Sequence, residues 1–311
     1  MHQREQVMDQ RVMDEGAVPS TAVHPQVMGT DKNNIAQSAL YTSGTWQWAR
    51  LPEADLVTPA NAAKVFRMVN RVLVIYRWIN PQVYSLRHQL LHRHTAIDHL
   101  RADSGCTRTV EVACGFSPRG AHVSGDPAQE YVEIDLPAMV AHKRAQLART
   151  PRGQSVLARP NLHLMAEDVR QLDFAGRFGD RPTAVITEGL MMYFQREQQL
   201  PIWRSIAELV NQSNGVYLFD YIPLSEEHPR SFFGRMLHYL RIEVFKLKGD
   251  FAYDARTRSG IEDDLRACGF EDVTSYSTGD IAQSWHLPEA HVPSRTIIYR
   301  CRRSQTNEVS A

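Results

Sequence analysis

Cysteine is scarce: the 311 residues hold four, Cys106, Cys114, Cys268 and Cys301, and none stands in CxxC spacing. That excludes a zinc ribbon and offers no disulfide framework, so the chain suits a reducing compartment. Net charge is absent as well, with 35 Lys and Arg against 35 Asp and Glu. No general electrostatic pull toward a phosphate backbone or an anionic membrane follows, and nucleic-acid binding would need a local basic patch. Long apolar runs are missing. The most apolar stretch, Val65 to Ile79, is broken by Arg67, Asn70, Arg71 and Arg77, whereas a membrane span needs about 20 mostly apolar residues. It reads as an amphipathic helix. The first thirty residues carry Arg4, Glu5, Asp9, Arg11, Asp14 and Glu15 without an apolar run, unlike a secretory signal, and a cytoplasmic location is expected. Neither a nucleic-acid nor a membrane partner is expected.

What is present is an ordinary globular composition, 43% hydrophobic with 17 Gly and 16 Pro, in a length that suits one large domain or two small ones. Residues 1–35 are polar and aperiodic and read as a flexible arm. From Pro59 to Leu100 the pattern is helical, with Val65, Phe66, Val69, Val72, Leu73 and Tyr76 on one stripe and Leu86, Leu90, Leu91 and Ile97 on a second after Asn80-Pro81. Residues 36–105 are therefore expected to form a helical cap.

Beyond Thr107, short β-branched runs alternate with helix-length segments, the texture of βαβ units. Thr109 to Ala113, Tyr131 to Ile134, Leu162 to Met165, Ala184 to Thr187 and Val216 to Tyr221 are the first strands; Val273 to Tyr276 and Arg295 to Cys301 extend the sheet. Between them, Ala138 to Arg149 follows a proline suited to a first turn, and Glu197 to Val210 forms another helix. The expected fold is α/β, Rossmann-like and doubly wound, a mostly parallel seven-stranded sheet spanning 106–303. A helical insertion is expected at about 224–258, where Phe232 to Phe245 cluster along Pro229 to Lys248, and a frayed tail at 304–311.

The chemistry concentrates in Thr109-Val-Glu111-Val-Ala113-Cys-Gly115-Phe-Ser-Pro-Arg119-Gly120, an apolar strand that carries an acid and runs into a small-residue turn. Small residues let a ligand approach the backbone, and an acid ending the next strand, Tyr131-Val-Glu133-Ile-Asp135, suits a ribose diol. Glu167-Asp168-Val169 and Thr187-Glu188-Gly-Leu-Met-Met-Tyr193-Phe194 close two later strands. A lone small-residue turn also fits a plain strand-to-helix connection. Acids at the carboxyl ends of successive strands point instead to a nucleoside ligand.

These motifs resemble those of the leucine carboxyl methyltransferase family of class I S-adenosylmethionine-dependent methyltransferases, in particular its bacterial branch associated with polyketide O-methylation. The family's E-x-G-A-G-x-D-T-R is similar to Glu111 through Arg119, its E-V-D-L-P to Glu133 through Pro137 with Lys143 beyond, its A-D-L-R to Glu167 through Arg170, and its A-E-G-L-L-M-Y-L to Thr187 through Phe194. An upstream R-x-x-x-x-D matches Arg93 and Asp98, so the likeness covers about residues 85–300. It implies S-adenosylmethionine as cofactor, with Glu111 among the cofactor-binding residues, Arg93 on the methionine carboxylate (Arg87 if the register slips), Ala113 and Gly115 lining the methionine portion, and Asp135 on the ribose with Glu133 near it. Asp168 and Val169 would read the adenine, Glu188 would sit beside the methionine amino group, and Tyr193 near the methyl-transfer point. Ala113 and Ser117-Pro118 depart from the family pattern, where Gly and Asp-Thr are usual.

The implied activity is O-methylation of a carboxyl or hydroxyl group on a small molecule. A carboxylate acceptor needs no general base; for a hydroxyl, His228, His238 or Tyr193 are candidates, and Arg170 or Arg235 would anchor an anionic acceptor. Methylation of a protein C-terminus, a nicotinamide-dependent oxidoreductase and a non-catalytic module that keeps the fold remain alternatives, although the turn lacks the G-x-G-x-x-G of the oxidoreductases. His88, His92 and His99 share a helical spacing but lack enough carboxylates for a metal set; a solvated face and no metal are expected. Arg119 is expected to serve structure, and Tyr41, Trp46 and Trp48 either roof the cofactor or pack on the core.

Overall fold

The computed structural model describes residues 37–79, 84–221 and 256–304. Seven strands form one sheet: β1 (Arg108–Val112), β2 (Glu130–Asp135), β3 (Leu162–Ala166), β4 (Thr183–Thr187), β5 (Val216–Tyr221), β6 (Asp272–Ser277) and β7 (Ile297–Arg302), in the order 3-2-1-4-5-7-6. β1 to β5 are parallel, whereas β7 runs antiparallel to both β5 and β6. β1, β4 and β5 are buried along their whole lengths, as strands covered on both faces must be. Strand order reverses between β1 and β4, and the crevice beyond their carboxyl ends is where open α/β sheets bind ligands.

Among the described residues four helices precede the sheet: α1 (Gln37–Trp48), α2 (Ala54–Val57), α3 (Ala62–Ile79) and α4 (Leu86–Asp103). The crossovers carry α5 (Arg119–Val123), α6 (Pro137–Leu147), α7 (Pro151–Leu157), α8 (Phe174–Phe178) and α9 (Arg196–Ser213), and α10 (Arg258–Ala267) and α11 (Thr278–Ile281) flank the last two strands. Their ends follow local chemistry. Pro137 and Pro151 open α6 and α7, and the Thr150 hydroxyl accepts from Gly153 N–H at 3.1 Å. Gln195 and Gln198 close a reciprocal capping box on α9, which Asn214 ends in the left-handed region at φ 53°.

The sheet buries two apolar layers, and side chains of β5 alternate between them. Tyr217 and Phe219 join Trp203, Ile206 and Val210 of α9 on one face. Val216 and Leu218 join Ala96, Ile97 and Leu100 of α4 on the other. The helical pattern upstream is less one-sided than its sequence suggests. On α3, Phe66 packs on Tyr41 of α1, but Val72 of the expected buried stripe is 42% exposed and Trp78 is 87% exposed. The apolar face of α3 is wide, and packing covers the side with Ala62 and Phe66 while Met68, Val72 and Ile75 stay exposed. No described helix is long and apolar enough to cross a membrane. The N-terminal arm, the Asn80-Pro81 join, the helix expected over Pro229 to Lys248 with His228, Arg235 and His238, and the tail past Ser304 lie outside the described residues.

Candidate active site

The turn after β1 is held from two sides. Ala113 and Gly115 both adopt left-handed backbone, at φ 54° and φ 53°. A methyl group makes that conformation costly at 113, while at Gly115 no atom of the described residues, its chain neighbours aside, lies within 4 Å of where a Cβ would stand. Gly115 thus faces open space. Its N–H donates to Asp135 Oδ2 at 2.8 Å, and Leu136 N–H donates to Asp135 Oδ1 at 2.7 Å, which fixes the carboxylate at the end of β2. Burial nevertheless pushes the Asp135 carboxyl above the ordinary range, against the pull of those amides. Each oxygen keeps a further lone pair for a ligand hydroxyl.

Beneath the turn, Glu133 and Glu111 are buried. Lys143 Nζ lies 2.7 Å from Glu133 Oε2 and donates to the Ser117 carbonyl at 2.7 Å, tying α6 to the turn. Glu133 Oε1 has no hydrogen-bond partner among the described residues, and burial raises its carboxyl pKa in spite of Lys143. A Cβ on Gly120 would collide with that carboxylate, so glycine is required where α5 crosses β2. Glu111 bonds Arg119 and accepts from the Tyr131 hydroxyl at 2.9 Å.

Arg119 leads to the densest charge cluster. Besides Glu111 it bonds Asp98, and its Nη2 donates to Glu188 Oε2 at 2.8 Å. Arg93 Nε donates to Glu188 Oε1 at 3.0 Å and Nη1 to Asp220 Oδ2 at 3.1 Å. His94 Nδ1 lies 2.9 Å from Glu188 Oε2. Burial works against the Glu188 charge, but His94, Arg93 and Arg119 outweigh it and hold the carboxyl well below its usual range. Asp220, fully buried at the end of β5, shifts the other way because its desolvation outweighs Arg93. It also accepts from Gly189 N–H at 2.6 Å. Gly189 has φ 68°, and a Cβ there would stand 3.2 Å from Arg93 Nη1. Small size at 189 keeps the guanidinium in place.

Several sequence-derived residues thus converge: Arg93, Ala113, Gly115, Asp135 and Glu188 stand around the carboxyl ends of β1, β2 and β4. Arg87 lies elsewhere, stacked 4.5 Å above the Trp48 ring. Asp168 caps the turn after β3 and is paired with Arg170, which lowers its pKa; Val169 beside it is buried. Tyr193 closes a short helical turn, Met191–Tyr193, beyond β4. Trp46 packs on His94 at 4.3 Å and Tyr41 on Phe66, so both belong to the core. Of the three histidines expected on a solvated face of α4, His88 and His92 are instead buried, on Ser85 Oγ at 2.7 Å and the Pro288 carbonyl at 2.8 Å, while His99 is exposed and stacks on Trp285. Their side chains find separate partners because an eighteen-residue helix wedged against the sheet presents most of its faces to protein.

Two members of the site were not singled out from the sequence. Asp220 is an acid inside the apolar run Val216 to Tyr221, the same signal that marked Glu111 in β1. His94 adjoins Arg93 in sequence, but nothing local showed that it meets Glu188.

Comparison with known proteins bears on this arrangement. A family model described as leucine carboxyl methyltransferase matches residues 55–207. A protein of Mycobacterium ulcerans (strain Agy99), provisionally named an S-adenosyl-L-methionine-dependent methyltransferase, is 27% identical over 198 residues; the match spans 60% of this chain and 62% of that protein. Solved structures are more distant. An O-methyltransferase family protein from Burkholderia thailandensis superposes with a TM-score of 0.47 at 14% identity, covering 86% of this chain and 72% of that one. The glycopeptide N-methyltransferase MtfA, complexed with sinefungin, gives 0.45 at 14% identity over 68% and 87%. The segment matched by the family model, residues 55–207, contains Arg93, the β1 turn, Asp135 and Glu188, and over that segment the chain is similar to the leucine carboxyl methyltransferase family.

Proposed function

We propose that the protein is an S-adenosylmethionine-dependent O-methyltransferase acting on a carboxyl or hydroxyl group of a small molecule, of the kind found in polyketide-like secondary metabolism. The observation that carries this reading is the pairing of Gly115 N–H with Asp135 and of Arg93 with Glu188 at the carboxyl ends of parallel strands. The donor set fits the cofactor: open space over Gly115, a carboxylate with free lone pairs at Asp135, and a cation and an anion side by side for an amino acid's carboxylate and ammonium. The family match and the name of the Mycobacterium ulcerans relative support the same choice. Glu111 and Glu133 serve the cofactor through the turn, by holding Arg119 and Lys143, while Asp168 and Val169 line the adenine end.

When bound, the cofactor supplies an electrophilic methyl group on a sulfonium. The chain's own task is to align the acceptor in line with that group and to exclude water. A carboxylate acceptor is already a nucleophile at neutral pH, which suits a site whose ionisable groups are committed to one another. For a hydroxyl acceptor, Tyr193 is the described residue nearest in sequence to the proposed transfer point.

Calorimetric titration with S-adenosylhomocysteine tests the cofactor assignment. Saturable binding by the wild type that is lost in Asp135→Ala is the expected result; silence from the wild type overturns it. A panel of acceptors then tests the oxygen assignment, which fails if only amines or thiols accept label. Ala113, with its strained backbone, favours one second reading, a module that keeps the fold without the cofactor. That reading predicts no thermal shift with either S-adenosylmethionine or its demethylated product.

A further inference from the structure

His94 occupies a position that the proposed chemistry leaves unused. Its imidazole is buried under Trp46, with Nδ1 2.9 Å from Glu188 Oε2 and also 2.9 Å from Arg119 Nη2, and Nε2 3.6 Å from Asp98 Oδ2. One ring nitrogen cannot donate to a carboxylate and accept from a guanidinium at once. As an imidazolium the ring donates from Nδ1 to Glu188, and its proton then opposes the N–H of Arg119. As a neutral ring with the proton on Nε2, it accepts from Arg119 at Nδ1 and turns its N–H toward Asp98. Whether Nδ1 carries a proton therefore decides how much of Glu188 Oε2 is left for another donor.

The charges around the ring set the direction. Glu188 faces it from the turn after β4, Asp98 and Arg93 from α4, and Arg119 from α5; Glu111 of β1 lies behind Arg119 and Asp220 of β5 behind Arg93. From α1 the ring meets Trp46. Among the described residues four carboxylates thus meet two guanidiniums, an excess of negative charge. A proton on His94 offsets some of it, and so would the ammonium of an incoming amino acid. Both on Glu188 beside Arg119 would crowd like charges into a buried space.

We propose that His94 is a positioning residue that couples cofactor binding to a proton: the ammonium of the cofactor's methionine portion takes its place beside Glu188 as His94 releases a proton to solvent and turns to accept from Arg119. This rests on the S-adenosylmethionine reading. No covalent bond changes; one cation leaves as another arrives.

Calorimetry with S-adenosylhomocysteine over a series of pH values, in buffers of different ionisation enthalpy, tests it. The wild type is expected to release close to one proton per ligand at the acidic end and almost none at the basic end. Its affinity should fall about tenfold per pH unit along the acidic limb, as linkage to a single proton requires. His94→Phe keeps a ring under Trp46 but carries no proton; it should bind more weakly at the basic end and lose both the proton release and the acidic limb. His94→Asn, which restores a hydrogen-bonding group near Nδ1, should recover part of the affinity without the pH dependence. Wild-type binding with no proton release, or release that persists in His94→Phe or His94→Asn, overturns the proposal while leaving the cofactor reading intact. No binding by the wild type at any pH overturns both.

Discussion

Glu188 takes hydrogen bonds from Arg93 and Arg119, with His94 Nδ1 2.9 Å away, in a space that water scarcely reaches. Glu188→Gln weakens charged hydrogen bonds to Arg93 and Arg119, which keep Asp220, Glu111 and Asp98, and should cost about 1.5–3 kcal/mol of stability at neutral pH, read from denaturant unfolding. Ala113 is the opposite case, a residue that costs the fold something. Its left-handed φ of 54° carries a Cβ penalty that glycine escapes, partly offset by the greater freedom of glycine in the unfolded chain. Ala113→Gly should therefore stabilise the protein by about 0.5–1 kcal/mol, visible as a raised Tm. It should also bring the turn closer to the family pattern, with cofactor affinity equal to or better than that of the wild type. A Tm below wild type would show that the methyl group makes contacts worth more than the strain.

Helices α9 and α3 are the same length but bear their apolar surface differently. Trp203 of α9 is wholly buried against Phe219 of β5 at a centroid distance of 5.8 Å, whereas Trp78 at the end of α3 stands 87% exposed. Trp203→Ala should destabilise by about 3–5 kcal/mol through the cavity it leaves, and Trp78→Ser should change stability by no more than about 0.5 kcal/mol. Equal losses from the two substitutions would mean that the exposed face of α3 is covered in solution. The two helices also show why periodicity is a partial guide. On α9 the apolar spacing selects one face and the sheet covers that face. On α3 the apolar face is wider than the surface that covers it, so spacing alone did not say that Phe66 would be buried and Val72 would not.

Across the whole molecule, buried carboxylates pull in two directions with pH. Glu188 is held below its ordinary range, so its contribution to stability is fully present above the unfolded carboxyl pKa of about 4.3 and is lost as pH falls through the folded value. Glu133, Asp135 and Asp220 are raised by burial, so their ionisation opposes folding at neutral pH and that penalty is relieved on acidification. Thermal melts followed from neutral to acid pH should show the wild type losing stability below about pH 4.3 more steeply than Glu188→Gln. A variant that loses stability just as steeply would assign the acid limb to other groups.

Much of this molecule was legible in its residues. Strand and helix succession, Pro137 at a first turn, the acid-bearing small-residue turn after β1 and the acids ending β2 and β4 all follow from short-range rules, because hydrogen-bonding period, ring constraint and side-chain size act within a few residues. What only the tertiary structure decided is which of those groups meet. Sequence offered Arg93 and Arg87 as alternatives, and packing of α4 on the sheet brought Arg93 to Glu188, 95 residues away. The same packing buried His94 between Glu188, Arg119 and Trp46, and placed Asp220, 127 residues from Arg93, behind its guanidinium. Charges in low dielectric are paired by proximity in space, and proximity across that many residues is a property of the folded chain, not of any stretch of it.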